Sequence, residues 1–210
     1  MSASSHRVHV VRTGVANLAS VLAGLERAGT TAVLTDDPHD VLAADRLVLP
    51  GVGAFGAAMT ELHRLGLVDA LRARITQGHP TLTVCLGLQL LAATSEETPG
   101  VEGLGVIDVP VTRFSGHGTA GDRALRVPQM GWNEVVPLPG ARWTERGYAY
   151  YANTFKLDRV PDGWSGAMSD HGGAFVAAIE RGDVLACQFH PELSGAWGAS
   201  LVRRWVEGTC

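Results

Sequence analysis

The chain has 210 residues, 46% of them hydrophobic, with 17 Lys and Arg against 21 Asp and Glu for a formal charge of −4. That size suits one core, so a single domain over residues 1–210 is expected. The missing Lys/Arg tract argues against nucleic acid, and the absence of a run of about 18 apolar residues argues against a membrane span.

"MSASSHRVHVV" lacks the basic and apolar regions of an export signal, and Cys85, Cys187 and Cys210 form no C-x-x-C pair. A soluble protein in a reduced, cytoplasmic setting is expected. In chain order, a strand over Val8–Val11 leads into a helix whose Leu18, Val21, Leu22 and Leu25 share one face, with Asn17 as N-cap and Gly29 as its end. Strands are expected at Ala32–Leu34 and Leu47–Leu49, the second stopping at "PGVGAFG". Phe55, Met59 and Leu62 then mark a helical face, which resumes after Gly66 with Leu67, Leu71 and Ile75. A strand over Thr81–Val84 delivers Cys85 to a helix expected from about Gly87 to about Thr94.

Continuously apolar strands alternating with amphipathic helices indicate an α/β fold, a doubly wound, mainly parallel sheet flanked by helices. Residues 100–180 differ. Their strand-like pieces "GLGVIDVPVTRF", "WNEVVPL", "YAYYANTF" and "GAFVAAIE" are separated by Gly and Pro signals, which suggests a small antiparallel extension. Parallel character returns at Val184–Phe189, and a closing helix puts Leu201, Val202 and Trp205 on one side.

In open α/β sheets, ligands bind beyond the carboxyl ends of the strands. Three strands here end in chemistry: "LVLPGVG" in a glycine-rich turn, "TLTVCLG" in a cysteine, and "VLACQFHPE" in a histidine followed by a glutamate. A thiol at a strand-to-helix elbow points out of the sheet, where helix amides and a nearby base favour its thiolate. A free thiol has a pKa of about 8.5, and lowering it by about two is worth about 3 kcal/mol. Cys85 is thus the candidate nucleophile, His190 its base, and Glu192 the group that orients the imidazole. Gly51, Val52 and Gly53 fit an oxyanion cradle, and the Leu86 amide is a second donor.

The reaction class is acyl transfer through a thioester. Taken singly, each feature has an ordinary reading: a cysteine in an apolar stretch is usually core, and "PGVG" is a common turn. Cys187 keeps the core reading and Cys210 that of an exposed terminal residue. The conjunction of three ends on one sheet edge is what points to catalysis. There is no metal-ligand constellation, no phosphate-binding fingerprint and no sign of a cofactor.

"LPGVGAFGAAM", "CLGLQLL" and "QFHPE", in this order and spacing, resemble the class I (triad-type) glutamine amidotransferases over nearly the whole chain. Within that family, "TGVANLASV", "SEETPGVEGLGVI" and "VPQMGWNEV" are similar to the glutaminase subunits of imidazole glycerol phosphate synthase, from histidine biosynthesis. The resemblance implies that Cys85 attacks the side-chain amide of L-glutamine and that His190 protonates the departing ammonia and activates the deacylating water. It implies substrate contacts for Gln89 and Glu97, and contacts between the two subunits for Trp132 and Asn133. It implies a heterodimer whose other chain is a (β/α)₈-barrel cyclase, which uses the ammonia to make imidazole glycerol phosphate and an aminoimidazole carboxamide ribotide.

The chain departs from the family's pattern at Arg12, Thr83, Gln129, Asn153 and Leu193, where a glycine (Thr83), histidines (Gln129, Asn153) or a basic residue (Leu193) are common. Two alternatives stand beside this reading: a glutaminase serving a different synthase, and a partner-binding module that has lost turnover.

Overall fold

The apolar periodicity of the first half of the chain translates directly into strands and covering helices. The computed structural model describes residues 7–14, 17–116 and 124–209; Val15, Ala16 and Cys210 lie outside them. The order is β1 (Arg7–Val11), α1 (Leu18–Arg27), β2 (Thr31–Thr35), α2 (Pro38–Ala43), β3 (Arg46–Gly51), α3 (Phe55–Arg64), α4 (Val68–Thr76) and β4 (Thr81–Cys85). It continues with α5 (Leu86–Gln89), β5 (Thr112–Arg113), β6 (Gln129–Pro137), β7 (Gly147–Asn153), β8 (Phe155–Lys156), β9 (Ser165–Asp170), β10 (Ala174–Arg181), β11 (Val184–Cys187) and α6 (Gly195–Glu207).

The main sheet runs β2-β1-β3-β4-β11-β10-β9-β6-β7, and β5 with β8 forms a separate pair. Neighbours from β2 to β11 are parallel. From β11 onward they are antiparallel, so the extension continues the same sheet. Successive residues of β3 face opposite layers. Leu47 and Leu49 pack with Phe55, Met59, Leu62 and Leu71, while Val48 packs with Val21, Leu25, Leu201 and Trp205. Helices α2 to α5 therefore cover one face and α1 and α6 the other, which is the doubly wound arrangement.

Local chemistry sets the helix ends. Asn17 caps α1 by accepting from the Ser20 amide at 3.4 Å, and Asp37 caps α2 by accepting from the His39 amide at 2.7 Å, with Pro38 in the first turn. Arg74 is fully buried and pins α4 to its neighbours, with Nε donating to Thr81 Oγ1 at 3.1 Å and Nη2 to the Pro80 carbonyl at 2.8 Å. Burial pulls this guanidinium down to about 10.

Four elements differ from the sequence reading. α2 is absent from that reading; the Asp37 cap and Pro38 in the first turn start it. α5 ends at Gln89 instead of near Thr94. The loop at 103–107 takes the carbonyls beyond it, Leu104 N donating to Leu90 O at 2.8 Å and Val106 N to Leu91 O at 2.8 Å. Gly103 permits this approach, since a Cβ there would lie 2.1 Å from the Ala92 carbonyl oxygen. Most of "GLGVIDVPVTRF" is accordingly loop, with strand only at Thr112–Arg113. β9, "SGAMSD", has no β-branched residue; its pairing with β10 and β6 makes it a strand.

Candidate active site

β3, β4 and β11 are adjacent and parallel, so their carboxyl ends share one edge of the sheet. The register places Gly51 beside Cys85, and Cys187 beside Val84. Cys85 sits at φ 54° and ψ −108°, the one non-glycine residue with positive φ among the described residues. Such a backbone costs on the order of 1–3 kcal/mol and persists only where its surroundings impose it. They do so here through the turn of α5, which lies so close to β3 that a Cβ on Gly87 would fall 2.4 Å from the Leu49 carbonyl oxygen. Thr83 is fully buried beneath the elbow, its hydroxyl without a partner among the described residues.

α5 has only four residues, so less of a helix dipole faces the sulfur than a longer helix would supply. The nearby charge comes from His190. Its backbone is tied to β7 by His190 N donating to Tyr150 O at 2.9 Å, and its carbonyl accepts from Ser194 Oγ at 2.6 Å. His190 Nδ1 pairs with Glu192 Oε1 at 2.8 Å in a nearly dry site, with both side chains 7% exposed. Nε2 is left for the sulfur. Burial lowers the His190 pKa, but its hydrogen bonds and charge interactions with Cys85 and Glu192 outweigh burial and hold it up at about 10. The second carboxylate oxygen, Glu192 Oε2, is buried with no partner among the described residues, so the imidazole is the group that balances this charge.

Cys85, His190, Leu86, Val52 and Gly53 line one cavity of about 250 Å³ with Gln89, Glu97, Ala152, Asn153, Thr154 and Phe155. Gly51 lies just beneath, packed on Leu86 and Gly87. Gln89 spends both amide hydrogens on the protein, donating to Phe155 O and to Gln188 Oε1 at 3.0 Å each, so its carbonyl oxygen is what it can offer a ligand. Glu97 Oε2 accepts from the Phe55 amide at 2.7 Å and caps α3 while facing the cavity.

Cys187 is fully buried, and desolvation pushes its thiol well above its ordinary range. Among the described residues, no cluster of His, Cys, Asp and Glu is arranged to hold a metal ion.

Trp132 is 58% exposed. Met130 and Trp132 of β6 and Tyr148 of β7 stand out of the sheet as exposed apolar side chains, and Leu193 does the same on the turn that carries His190. Trp132 meets Tyr150 edge-on at 6.3 Å. Asn133 uses its side chain internally, donating to the Asp170 carbonyl and accepting from the Glu134 amide. Gln188 has no role in the sequence reading, although a lone amide in the apolar run "VLACQF" is a signal: its Nε2 lies 3.7 Å from Cys85 Sγ. The part played by Ala152, Thr154 and Phe155 has no signal in the sequence, since it depends on how β7 ends against the cavity.

The sequence signature of the family Glutamine amidotransferase class-I matches residues 15–207. The imidazole glycerol phosphate synthase subunit HisH of Pectobacterium atrosepticum is 38% identical over 205 residues, covering 96% of this chain and 99% of that protein. The protein of the same name from Salmonella typhimurium is 39% identical over 204 residues, covering 95% and 98%. A crystal structure of a glutamine amidotransferase superposes with a TM-score of 0.72 at 21% identity, covering 95% of this chain and 97% of that one. A chain from the structure of PurLQS from Thermotoga maritima superposes with a TM-score of 0.70 at 17% identity, covering 97% and 98%. On the signature and the full-length relatives together, this chain belongs to the class-I glutamine amidotransferase family.

Proposed function

We propose that this chain is the glutaminase subunit of an imidazole glycerol phosphate synthase in histidine biosynthesis, hydrolysing L-glutamine to glutamate and ammonia and passing the ammonia to a (β/α)₈-barrel cyclase subunit. The observation that carries the catalytic part is the meeting of Cys85 and His190 on the wall of the cavity of about 250 Å³, with Glu192 paired to His190 Nδ1 behind it at 2.8 Å. The assignment to that synthase rests on the full-length likeness to the two HisH proteins.

In this reading, Cys85 Sγ attacks the side-chain carbonyl carbon of glutamine, and the developing oxyanion meets the Leu86 amide and those of the Gly51–Gly53 turn. While the sulfur is anionic it holds His190 protonated; acylation removes that charge, so the imidazolium becomes a stronger acid just when the amide nitrogen needs a proton to leave as ammonia. Neutral His190 then takes a proton from water, whose oxygen attacks the thioester carbonyl, and glutamate departs as Cys85 thiolate reforms. Glu192 keeps Nδ1 protonated throughout. The Gln89 oxygen and the Glu97 carboxylate are acceptors for the α-ammonium group of the substrate.

Free ammonia in water becomes ammonium and loses its nucleophilicity, so hydrolysis is useful only beside the acceptor. The exposed Met130, Trp132, Tyr148 and Leu193 form the docking surface for the cyclase, with Asn133 shaping the strand beneath. The sheet takes strands from both ends of the chain, which fits one amidotransferase domain. Among the described residues no helix is long and apolar enough to cross a membrane, and Cys85 and Cys187 are unpaired thiols, which fits a cytoplasmic enzyme. The test is glutamate release on mixing the chain with a barrel cyclase. Cyclase-dependent release that Cys85→Ala abolishes is expected; release with another synthase instead, or with none, would overturn the proposal.

A further inference from the structure

We propose that Gln188 is a further support of the nucleophile, an amide that donates to Cys85 Sγ and favours its thiolate. This rests on the reading of Cys85 as nucleophile. Gln188 is fully buried, and its Nε2 lies 3.7 Å from Cys85 Sγ, its acceptor among the described residues. The orientation of the amide follows from a backbone group. The Phe155 carbonyl can only accept, so the end of Gln89 that meets it at 3.0 Å is Nε2. That nitrogen's other hydrogen bond, at 3.0 Å, therefore ends on Gln188 Oε1. Gln188 is thus left with its N–H group facing the sulfur.

Thiol sulfur is a weak acceptor and thiolate a strong one, so a fixed donor stabilises the anion selectively. The same bond acts again when Cys85 leaves the thioester. The relay begins at Gln89 and Phe155, which line the cavity, so the groups beside the substrate and the group on the sulfur form one hydrogen-bonded chain. The ionisable groups around Sγ are His190, with Glu192 behind it, Glu97 across the cavity and Cys187 on β11. His190 supplies charge; Gln188 supplies direction.

The experiment is the pH dependence of Cys85 alkylation by iodoacetamide in the full chain, located by mass spectrometry, for wild type, Gln188→Met and Gln89→Leu. Gln188→Met should raise the alkylation midpoint by about one pH unit and slow labelling at neutral pH about tenfold. Gln89→Leu, which leaves the Gln188 amide unsteered, should move the midpoint the same way by less. A purely structural Gln188 would alter thermal stability and leave the midpoint in place. An unmoved midpoint in folded Gln188→Met overturns the inference, and if that variant does not fold, an unmoved midpoint in Gln89→Leu does so. Cyclase-dependent glutaminase activity persisting in Cys85→Ala would instead overturn the nucleophile assignment itself.

Discussion

The parallel and antiparallel halves of the sheet solve different problems. In the parallel half, β3, β4 and β11 are buried on both faces and cannot shift without disturbing two apolar layers, so the groups at their ends are held in fixed relation. In the antiparallel half, β6 and β7 leave one face partly bare, and Met130, Trp132 and Tyr148 stand in solvent. On the proposed function, chemistry sits where the sheet is sealed and docking where it is open. The two meet at Tyr150, which touches Trp132 edge-on and accepts from the His190 amide through its carbonyl.

The sealed half should fail completely at one atom. Cys85→Ala removes the proposed nucleophile from a site whose backbone is fixed by packing, so cyclase-dependent glutamate release should fall by at least roughly 10³-fold. Circular dichroism should remain that of the wild type.

The buried imidazole also gives this half a pH signature. With a folded pKa of about 10 against an ordinary value of 6.5, His190 contributes stability that is fully present below about pH 6.5 and is lost as pH rises through 10. Denaturant unfolding at pH 6, 8 and 10 should therefore show wild type losing its advantage over His190→Asn across that window. Cys85→Ala, which removes one source of the raised value, should show a shallower loss. Equal slopes in all three proteins would contradict the charge coupling.

Two tryptophans sharpen the contrast within the antiparallel half. Trp143 is fully buried and donates to the Gly182 carbonyl at 2.9 Å, so Trp143→Ala should cost about 3–5 kcal/mol of folding stability. Trp132→Ala should leave thermal unfolding within about 0.5 kcal/mol of wild type. It should weaken cyclase binding about tenfold or more by titration calorimetry.

The same contrast explains what the sequence disclosed. Much of the parallel half was legible because the rules behind it are local: apolar runs at β1, β3 and β4, the Asn17 cap, the strand ends at Gly51 and Cys85, and His190 shortly after β11. Residues 90–94 misread as helix because their apolar pattern says nothing of the loop at 103–107 that claims their carbonyls. β9 was silent because neighbours, not propensity, make it a strand. In the site, Cys85, His190 and Glu192 stand out in the sequence as candidates near strand ends, whereas the contact of Gln188 with Cys85 needs side chains from α5, the end of β4 and the residue after β11 to be seen together. The exposure of Trp132 likewise belongs to the arrangement of strands, not to the residue.

The smallest effect lies under the elbow itself. Thr83 places a hydroxyl in a fully buried position with no acceptor or donor among the described residues. Valine has nearly the same shape and replaces that hydroxyl with a methyl group, so Thr83→Val removes an unmet polar group without opening a void. Stability should rise by about 1 kcal/mol, or about 2–4 °C in Tm. Glutamate release should stay unchanged, because the Thr83 hydroxyl is not among the groups that line the cavity. A loss of stability would mean that the hydroxyl has a partner after all; a loss of activity at unchanged stability would mean that the packing beneath Cys85 is tuned more finely than its burial suggests.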